Sequence, residues 1–592
     1  MKKVAGVLCL LLVFIAGALA EQYPQIANVY NRKITSLNGK WKYIIDQGDI
    51  GRKRGFWLQE RPESRSDLVE YSFETARQLD VPGDWNSQSD ELLYYEGKIW
   101  YQRDFSFSPD EEKRYFLYFG AANYHTEAYL NGKRLGSHKG GFNPFNFEIT
   151  SLLQDKNSLV ISVDNSRHEE QVPTLVSDWK NFGGITRDVL ILEENDSFIR
   201  DFSIQLKPGS GNTIEAGIAL DRAVETGEVV LEIPELNIRE KIRINNSDRG
   251  SASFAAGNLL YWSPEHPKTY EVHLSWGGAT LSDRIGFRTI QTSGTDILLN
   301  GKPVFLRGIS IHEENPFTRG RVHAREEARM LLNWARELGC NFVRLAHYPH
   351  NEHMIRLADE MGLLVWEEIP VYWDIQWDSP RTLSLASEML DDLITRDRNR
   401  ASVIIWSVAN ETDISEHRNL FLRSLIDQAR EKDPYRLISA ALLANGENHN
   451  SRMKVVNDPF GEYVDIISIN HYTGWYGSAL PDALKQVDWE VKFDKPFFFS
   501  EFGAGALAGY HADSLTRWSE EYQAWYYRET LSMCERIDQL RGMSPWILTD
   551  FQSPRRPLGN IQDGFNRKGL ISSKGEKKMA FYILQNFYLS KQ

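Results

Sequence analysis

The strongest constraint on this chain is a change of rhythm after residue 292. From there, short apolar runs rich in β-branched residues alternate with amphipathic helical stretches to the end of the chain. The runs are PVFLRGIS, NFVRLAHY, GLLVWEEI, SVIIWSVAN, LISAAL, VDIISINHY, PFFFSEFG and MSPWILTDF. Between many of them lie stretches such as AREEARMLLNWARELG and ASEMLDDLITRDRN. Strands buried on both faces read as nearly continuous apolar runs, and crossover helices cover those faces. Eight such runs predict a (β/α)8 TIM barrel over 293–592. The run from Leu437 is the weakest of the eight.

Upstream the texture is all-β. Between residues 21 and 195, LNGKWKYII, RYFLYFG, TEAYLNGKRLG, NSLVISVDN and RDVLILEE are short strands split by Gly, Asn and Asp turns. The Asn-Gly in YLNGKRL is a hairpin signal, because a two-residue turn needs positive φ at both positions. This segment predicts a jelly-roll β-sandwich. Residues 196–292 carry a second set, including DFSIQLK, GEVVLEIPE and YEVHLSW, and predict an immunoglobulin-like β-sandwich. The expected fold is therefore multidomain β plus α/β, in the order jelly roll, immunoglobulin-like sandwich, TIM barrel.

The N-terminus, MKKVAGVLCLLLVFIAGALAEQ, has two lysines, an apolar stretch and a small-x-small Ala-Leu-Ala. It reads as a secretory signal peptide over 1–20, cut after Ala20, which predicts a periplasmic or secreted protein without a membrane anchor. Cys9 would leave with it, so Cys340 and Cys534 remain, too few for a disulfide scaffold. Net charge is 68 − 81 = −13. Such a surface does not attract a nucleic-acid backbone, and an acidic substrate would need a local basic site.

In a barrel of this kind the chemistry sits where strands end at the C-terminal rim. The runs end in His312-Glu313, in Arg344 and His347, in Glu367-Glu368, in Asn410-Glu411, in Asn470-His471-Tyr472, in Ser500-Glu501, and in Trp546 and Asp550. Two carboxylates from different strands are what cleavage of a glycosidic bond needs. Glu411 and Glu501 are the candidates, since each ends an apolar strand where an unpaired charge is expensive. A non-catalytic sugar-binding protein would be expected to have lost one of them. His347 and His350 lie in HYPHNEH, but three histidines around one turn do not make a convincing ligand set. No metal and no cofactor are expected.

The stretch DRNRASVIIWSVANE, 397–411, closely resembles the acid/base signature of glycoside hydrolase family 2, and NFVRLAHYP, 341–349, resembles that family's other signature. Leu345 departs from it, standing where small residues are commoner. The family has the same domain order, so the resemblance covers nearly the whole chain. It implies that Glu411 is the general acid/base and Glu501 the nucleophile of a retaining mechanism. It implies that Asn410 binds the sugar 2-hydroxyl, that Tyr472 donates to the nucleophile, and that Arg344 does similar electrostatic work. β-Sandwich faces often mediate dimers or tetramers in this family, which leaves a homo-oligomer open.

The loop DGFNRKGL, 563–570, bears on the substrate. In the family's β-glucuronidases an Asn-x-Lys after the eighth strand grips the C6 carboxylate, and Asn566-Arg567-Lys568 resembles it. A carboxylate suits one cation and one directed neutral donor. DWKNFGGITRDV resembles the segment in which a jelly-roll Asp, here Asp178, reaches the sugar. INHYTGWYG resembles the stretch carrying two tyrosines, here Tyr472 and Tyr476, and His312 and Trp546 occupy pocket-lining positions of that subgroup. An Arg usually found just before the Asn-x-Lys is replaced here by Gln562 and Asp563, which leaves Arg555 and Arg556 as candidates for that charge. The expected activity is exo-β-glucuronidase on glycans or conjugates, with β-galactosidase and β-galacturonidase as alternatives.

Overall fold

The structure is a computed structural model that describes residues 24–58, 64, 66, 68–444 and 452–591. The segment read as a signal peptide lies outside the described residues. Among the described residues no helix is long and apolar enough to cross a membrane.

The first domain is two antiparallel sheets, of four and six strands, closed around one core that includes Trp41, Tyr101, Leu117, Phe147 and Ile161. His125–Leu130 and Lys133–Lys139 form the hairpin expected from Asn-Gly. Asn131 and Gly132 both have positive φ, 51° and 78°, as that tight turn requires.

The second domain differs from two separate layers. Its five strands form one continuous sheet. The long strand Thr213–Ile233 pairs with Ile199–Leu206 through its first half and with Tyr270–Trp276 through Val230–Glu232. Pairing with its neighbour Ile238–Ala255 is irregular between Ala219 and Val224. Ile214 and Ile218 from the first half share a single core with Leu231 and Ile233 from the second. The sheet thus turns back on itself, and the long strands serve both layers.

The third domain is the barrel. Its first strand is split: Leu306–Arg307 pairs in parallel with Leu540–Met543, and Ser310–Ile311 pairs with Phe342–Leu345. The remaining ladder runs through Leu364–Glu368, Val403–Asn410, Leu437–Leu442, Ile467–Asn470 and Phe497–Glu501 back to Leu540–Met543, so the ring closes. The weak run from Leu437 is a fully buried strand. The crossovers depart from the ideal pattern. Among the described residues, α-helices follow strands one to four, seven and eight, whereas strands five and six are followed by the 3-10 turns Pro459–Glu462 and Pro481–Gln486.

The eighth strand also ends earlier than its apolar run suggests. The ladder stops at Met543, and Ser544 to Asp550 continue as a buried irregular segment. Pro545 lacks the N–H that a parallel ladder would need there. Trp546 and Asp550 are therefore carried beyond the strand, over the rim. Phe551–Gln552 then pairs antiparallel with Phe565–Asn566, which makes a small hairpin of the loop that carries Asn566.

Candidate active site

A cavity of about 450 Å³ opens over the C-terminal rim of the barrel. Glu411 and Glu501 both line it, one strand-end from the fourth strand and one from the seventh. Glu411 has φ of 51°, a left-handed conformation that costs a non-glycine residue energy and is enriched at functional sites. Its amide donates to the Ala441 carbonyl at 2.9 Å, and the Trp373 amide donates to the Asn410 carbonyl at 3.0 Å. These bonds fix the bend that turns the Glu411 carboxyl into the cavity.

The two carboxyls have different partners. Burial raises the Glu411 pKa above the ordinary carboxylate range, and the nearby Glu501 adds to that, while the Trp373 indole N–H opposes it by donating to Oε2 at 2.8 Å. Glu501 instead accepts from a guanidinium and a phenol: Arg344 Nη1 at 2.8 Å on Oε1 and the Tyr472 hydroxyl at 2.6 Å on Oε2. Burial, and after it the Glu501 charge, pushes the Tyr472 phenol far above its usual range, so it stays a donor. One carboxyl is thus favoured in its protonated form, and the other accepts from a guanidinium and a phenol, an asymmetry that suits an acid beside a nucleophile.

Arg344 is the hub beneath them, with no exposed surface. It donates from Nε and Nη2 to Glu368 at 3.0 Å each, from Nη1 to the Ser500 carbonyl at 3.0 Å and to Glu501, and from Nη2 to Asn410 Oδ1 at 2.8 Å. Burial alone would raise Glu368, but Arg344 and His347 outweigh it and hold that carboxyl at about 2. Asn410 Oδ1 also accepts from Asn470 at 3.2 Å, which orients the amide. Among the described residues the buried Asn410 Nδ2 has no hydrogen-bond partner, which leaves a donor unspent there.

Cations and an amide also gather at this cavity. The strand ends at Asn566 and the chain turns at 567–568, where the Lys568 amide donates to Asn566 Oδ1 at 3.2 Å and ties the two residues together. Arg567 turns to Asp550 and Ser573. Lys568 lines the cavity and donates to the Tyr476 hydroxyl at 2.6 Å. Asn566 Nδ2 donates to Asp178 at 2.9 Å, and Ser553 donates to the same carboxylate at 2.9 Å. Arg556 grips Asp178 with two nitrogens, at 3.0 and 2.6 Å. The glycines that frame this loop have separate reasons. Gly564 has φ of 80°, and a Cβ on Gly569 would stand 2.1 Å from the Asp550 amide.

Of the residues singled out from the sequence, Asp178, Glu411, Tyr472, Tyr476, Glu501, Trp546 and Lys568 line this cavity together. Asn410, Arg344 and Asn566 are buried behind it and reach it through their partners. His312 stands one layer back, edge-on to Trp546 with ring centres 5.1 Å apart, and burial lowers its pKa well below the usual range. Arg556 is on the wall, whereas Arg555 stacks over the Trp373 ring at 4.8 Å. Sequence reasoning did not single out Trp373, Tyr372, Asn470 or the role of Glu368. Glu368 and Asn470 stood among the strand ends, but without a role. Trp373 lies five residues past its strand, where spacing carries no information. His347 and His350 are spent on Glu368 and the Ala346 carbonyl, and among the described residues no metal-binding group of acidic, His and Cys side chains occurs.

Residues 290–590 match the description "Glycosyl hydrolases family 2, TIM barrel domain", and residues 34–195 match the "sugar binding domain" of the same family. A protein described as beta-glucuronidase from Paenibacillus borealis is 27% identical, over 94% of this chain and 96% of its own length. The crystal structure of Ruminococcus gnavus beta-glucuronidase superposes with a TM-score of 0.82 at 23% identity, covering 96% of this chain and 99% of that one. A beta-galacturonidase from Eisenbergiella tayi, bound to galacturonate, superposes with a TM-score of 0.79 at 25% identity, covering 96% and 99%. With half of its length matched by the barrel domain alone and the sugar-binding domain in its expected place, this chain belongs to glycosyl hydrolase family 2.

Proposed function

We propose that the chain is a retaining, exo-acting β-glucuronidase that removes terminal β-linked glucuronic acid from glycans or conjugates. The observation that carries this reading is the Lys568 ammonium in the same cavity as Glu411 and Glu501, with Asn566 and Arg556 beside it. A neutral hydroxymethyl group would not repay the burial of the Lys568 ammonium, whereas a C6 carboxylate would. The names of the Paenibacillus borealis and Ruminococcus gnavus relatives agree with it.

In this reading Glu501 attacks the anomeric carbon while Glu411 gives its proton to the leaving oxygen. The sugar is then held as an ester on Glu501. Glu411, now a carboxylate, takes a proton from water, and that water releases the sugar with its configuration retained. The free Asn410 Nδ2 donates to the 2-hydroxyl, and Arg344 and Tyr472 hold the nucleophile in line. Asp178, Tyr476, Trp546 and His312 shape the sugar site around the carboxylate cluster. The N-terminal segment supports export to the periplasm or beyond.

A second reading, β-galacturonidase, is favoured by the Eisenbergiella tayi neighbour, because the cluster recognises the carboxylate and not the C4 hydroxyl. Turnover of para-nitrophenyl β-D-glucuronide, β-D-galacturonide and β-D-galactoside by the purified mature chain separates these readings. The glucuronide is expected to have the highest kcat/KM. Preference for the galacturonide keeps the carboxylate site and changes the sugar. Preference for the galactoside makes Asn566 and Lys568 bystanders and overturns the proposal.

A further inference from the structure

Three buried polar residues that play no part in the chemistry meet where the jelly roll touches the barrel. Glu314 follows the first barrel strand, Gln552 lies in the hairpin after the eighth, and Lys180 belongs to the jelly-roll segment 178–182. All three are under a tenth exposed: 4%, 8% and 5%. The Gln552 amide N–H donates to Glu314 Oε1 and Oε2 at 3.0 and 3.1 Å, and its side-chain Nε2 donates to Oε1 at 3.3 Å. The other end of the same side chain, Oε1, accepts from Lys180 Nζ at 2.9 Å. The Lys180 backbone N–H also donates to the Gln552 carbonyl, at 3.0 Å.

A carboxyl and an ammonium are thus joined through one amide, whose Nε2 also donates to the Arg319 carbonyl at 2.5 Å. Burying such groups is costly: burial pushes the Glu314 carboxyl up to about 7 and lowers the Lys180 ammonium. Their neighbours in sequence are the substrate-facing residues. Two residues before Lys180 is Asp178, and one residue after Gln552 is Ser553, which donates to Asp178. Across the hairpin, Phe551 is in register with Asn566 and Gln552 with Phe565. Arg556 leaves the same hairpin to grip Asp178.

We propose that Glu314, Gln552 and Lys180 form a buried lock that holds the jelly-roll segment and the 551–566 hairpin in register, and so positions the residues that capture the uronate carboxylate. The proposal rests on the uronidase reading above. None of the three touches the reacting atoms, so they are positioning residues. The lock predicts that the first loss on breaking it is substrate capture, not the chemical step.

The test compares wild type, Glu314→Gln, Lys180→Met and the double variant. Binding of D-glucuronate and D-galacturonate is measured by calorimetry, and kcat and KM on the matching para-nitrophenyl uronide are measured in parallel. Glu314→Gln keeps the shape but turns an acceptor into a donor facing Gln552. It is expected to weaken uronate binding at least about fivefold, the equivalent of about 1 kcal/mol, with KM rising by more than kcat falls. Lys180→Met is expected to do the same, and the double variant to be no worse than the worse single variant, because both break one unit. If Glu314→Gln does not fold, Gln552→Met removes the bridging amide, keeps the backbone bonds, and must show the same fivefold weakening. Variants that bind like wild type, that lose kcat alone, or whose losses add overturn the lock. A wild type that binds neither uronate overturns both the lock and the uronidase reading, whereas a binding wild type with unaffected variants overturns the lock alone.

Discussion

The two halves of the cavity are built in different ways. The catalytic half is made at strand ends, where Arg344, Glu368, Asn410 and Glu501 come from four strands of one ring and are tied to one another by the Arg344 guanidinium. The other half is made of irregular backbone and a second domain: Arg556 from the hairpin after the eighth strand, Lys568 just past it, and Asp178 from the jelly roll. Strand ends in a hydrogen-bonded ring cannot shift singly. Loops can be remodelled without disturbing the ring. Under the proposed function, the chemistry sits on the rigid ring and the choice of substrate on the loops.

This division can be broken from either side, and the largest effect is expected in the ring. Glu501→Gln keeps the shape and both donors around it but removes the nucleophile. Activity on every glycoside tested should fall by at least ~10³-fold, with uronate binding retained. A variant that keeps more than a tenth of wild-type turnover would show that another group attacks the sugar. In the loop half, Lys568→Ala should act on the substrate and not on the chemistry. A lost charged hydrogen bond is worth roughly 1.5–3 kcal/mol, so kcat/KM on uronides should fall about 10- to 150-fold. Any trace activity on neutral glycosides should fall far less. Equal losses on both would assign the lysine to support of Tyr476 and the hairpin.

The same division explains what could be read from the sequence. The ring announces itself through eight apolar runs, and its functional residues sit where each run stops. Glu411, Glu501 and Arg344 stood out by position and residue type, and the resemblance gave them their roles. The first sandwich was equally plain because Asn131-Gly132 marks a turn that few other dipeptides can make. The loop half was legible only as a resemblance, since nothing in the spacing of Asn566 and Lys568 says what they face. Its geometry depends on contacts that join residues hundreds of positions apart, such as Arg556 with Asp178 and Lys180 with Gln552. The early end of the eighth strand was hidden for a different reason. The segment 544–550 is as apolar and buried as a strand, and only Pro545 hints that its ladder stops. The long shared strands of the second domain were hidden because a strand that bends to serve two layers has the same alternation as two short ones.

Trp373 stands on the border between the two halves, and its effect should be the smallest and the most specific. It lies on a loop, yet its indole N–H reaches Glu411 Oε2, and its backbone is held at φ of 57°. Burial and Glu501 favour the protonated form of Glu411, and the indole opposes them by stabilising the carboxylate. Trp373→Phe removes that donor and keeps an aromatic ring beneath Arg555. The Glu411 pKa should then rise further. Because glycosylation needs Glu411 protonated, the basic limb of the kcat/KM profile should move to higher pH, by about half to one unit for a hydrogen bond worth ~1 kcal/mol. The rate at the optimum should change only a few-fold, since neither carboxylate nor the lysine is touched. The carboxylate form is the base of the second step, and it loses a donor that fixed its direction, so release of the sugar from Glu501 should slow more than its formation. A basic limb that stays in place while all rates fall together would assign Trp373 to packing, and would return the control of proton transfer entirely to the ring.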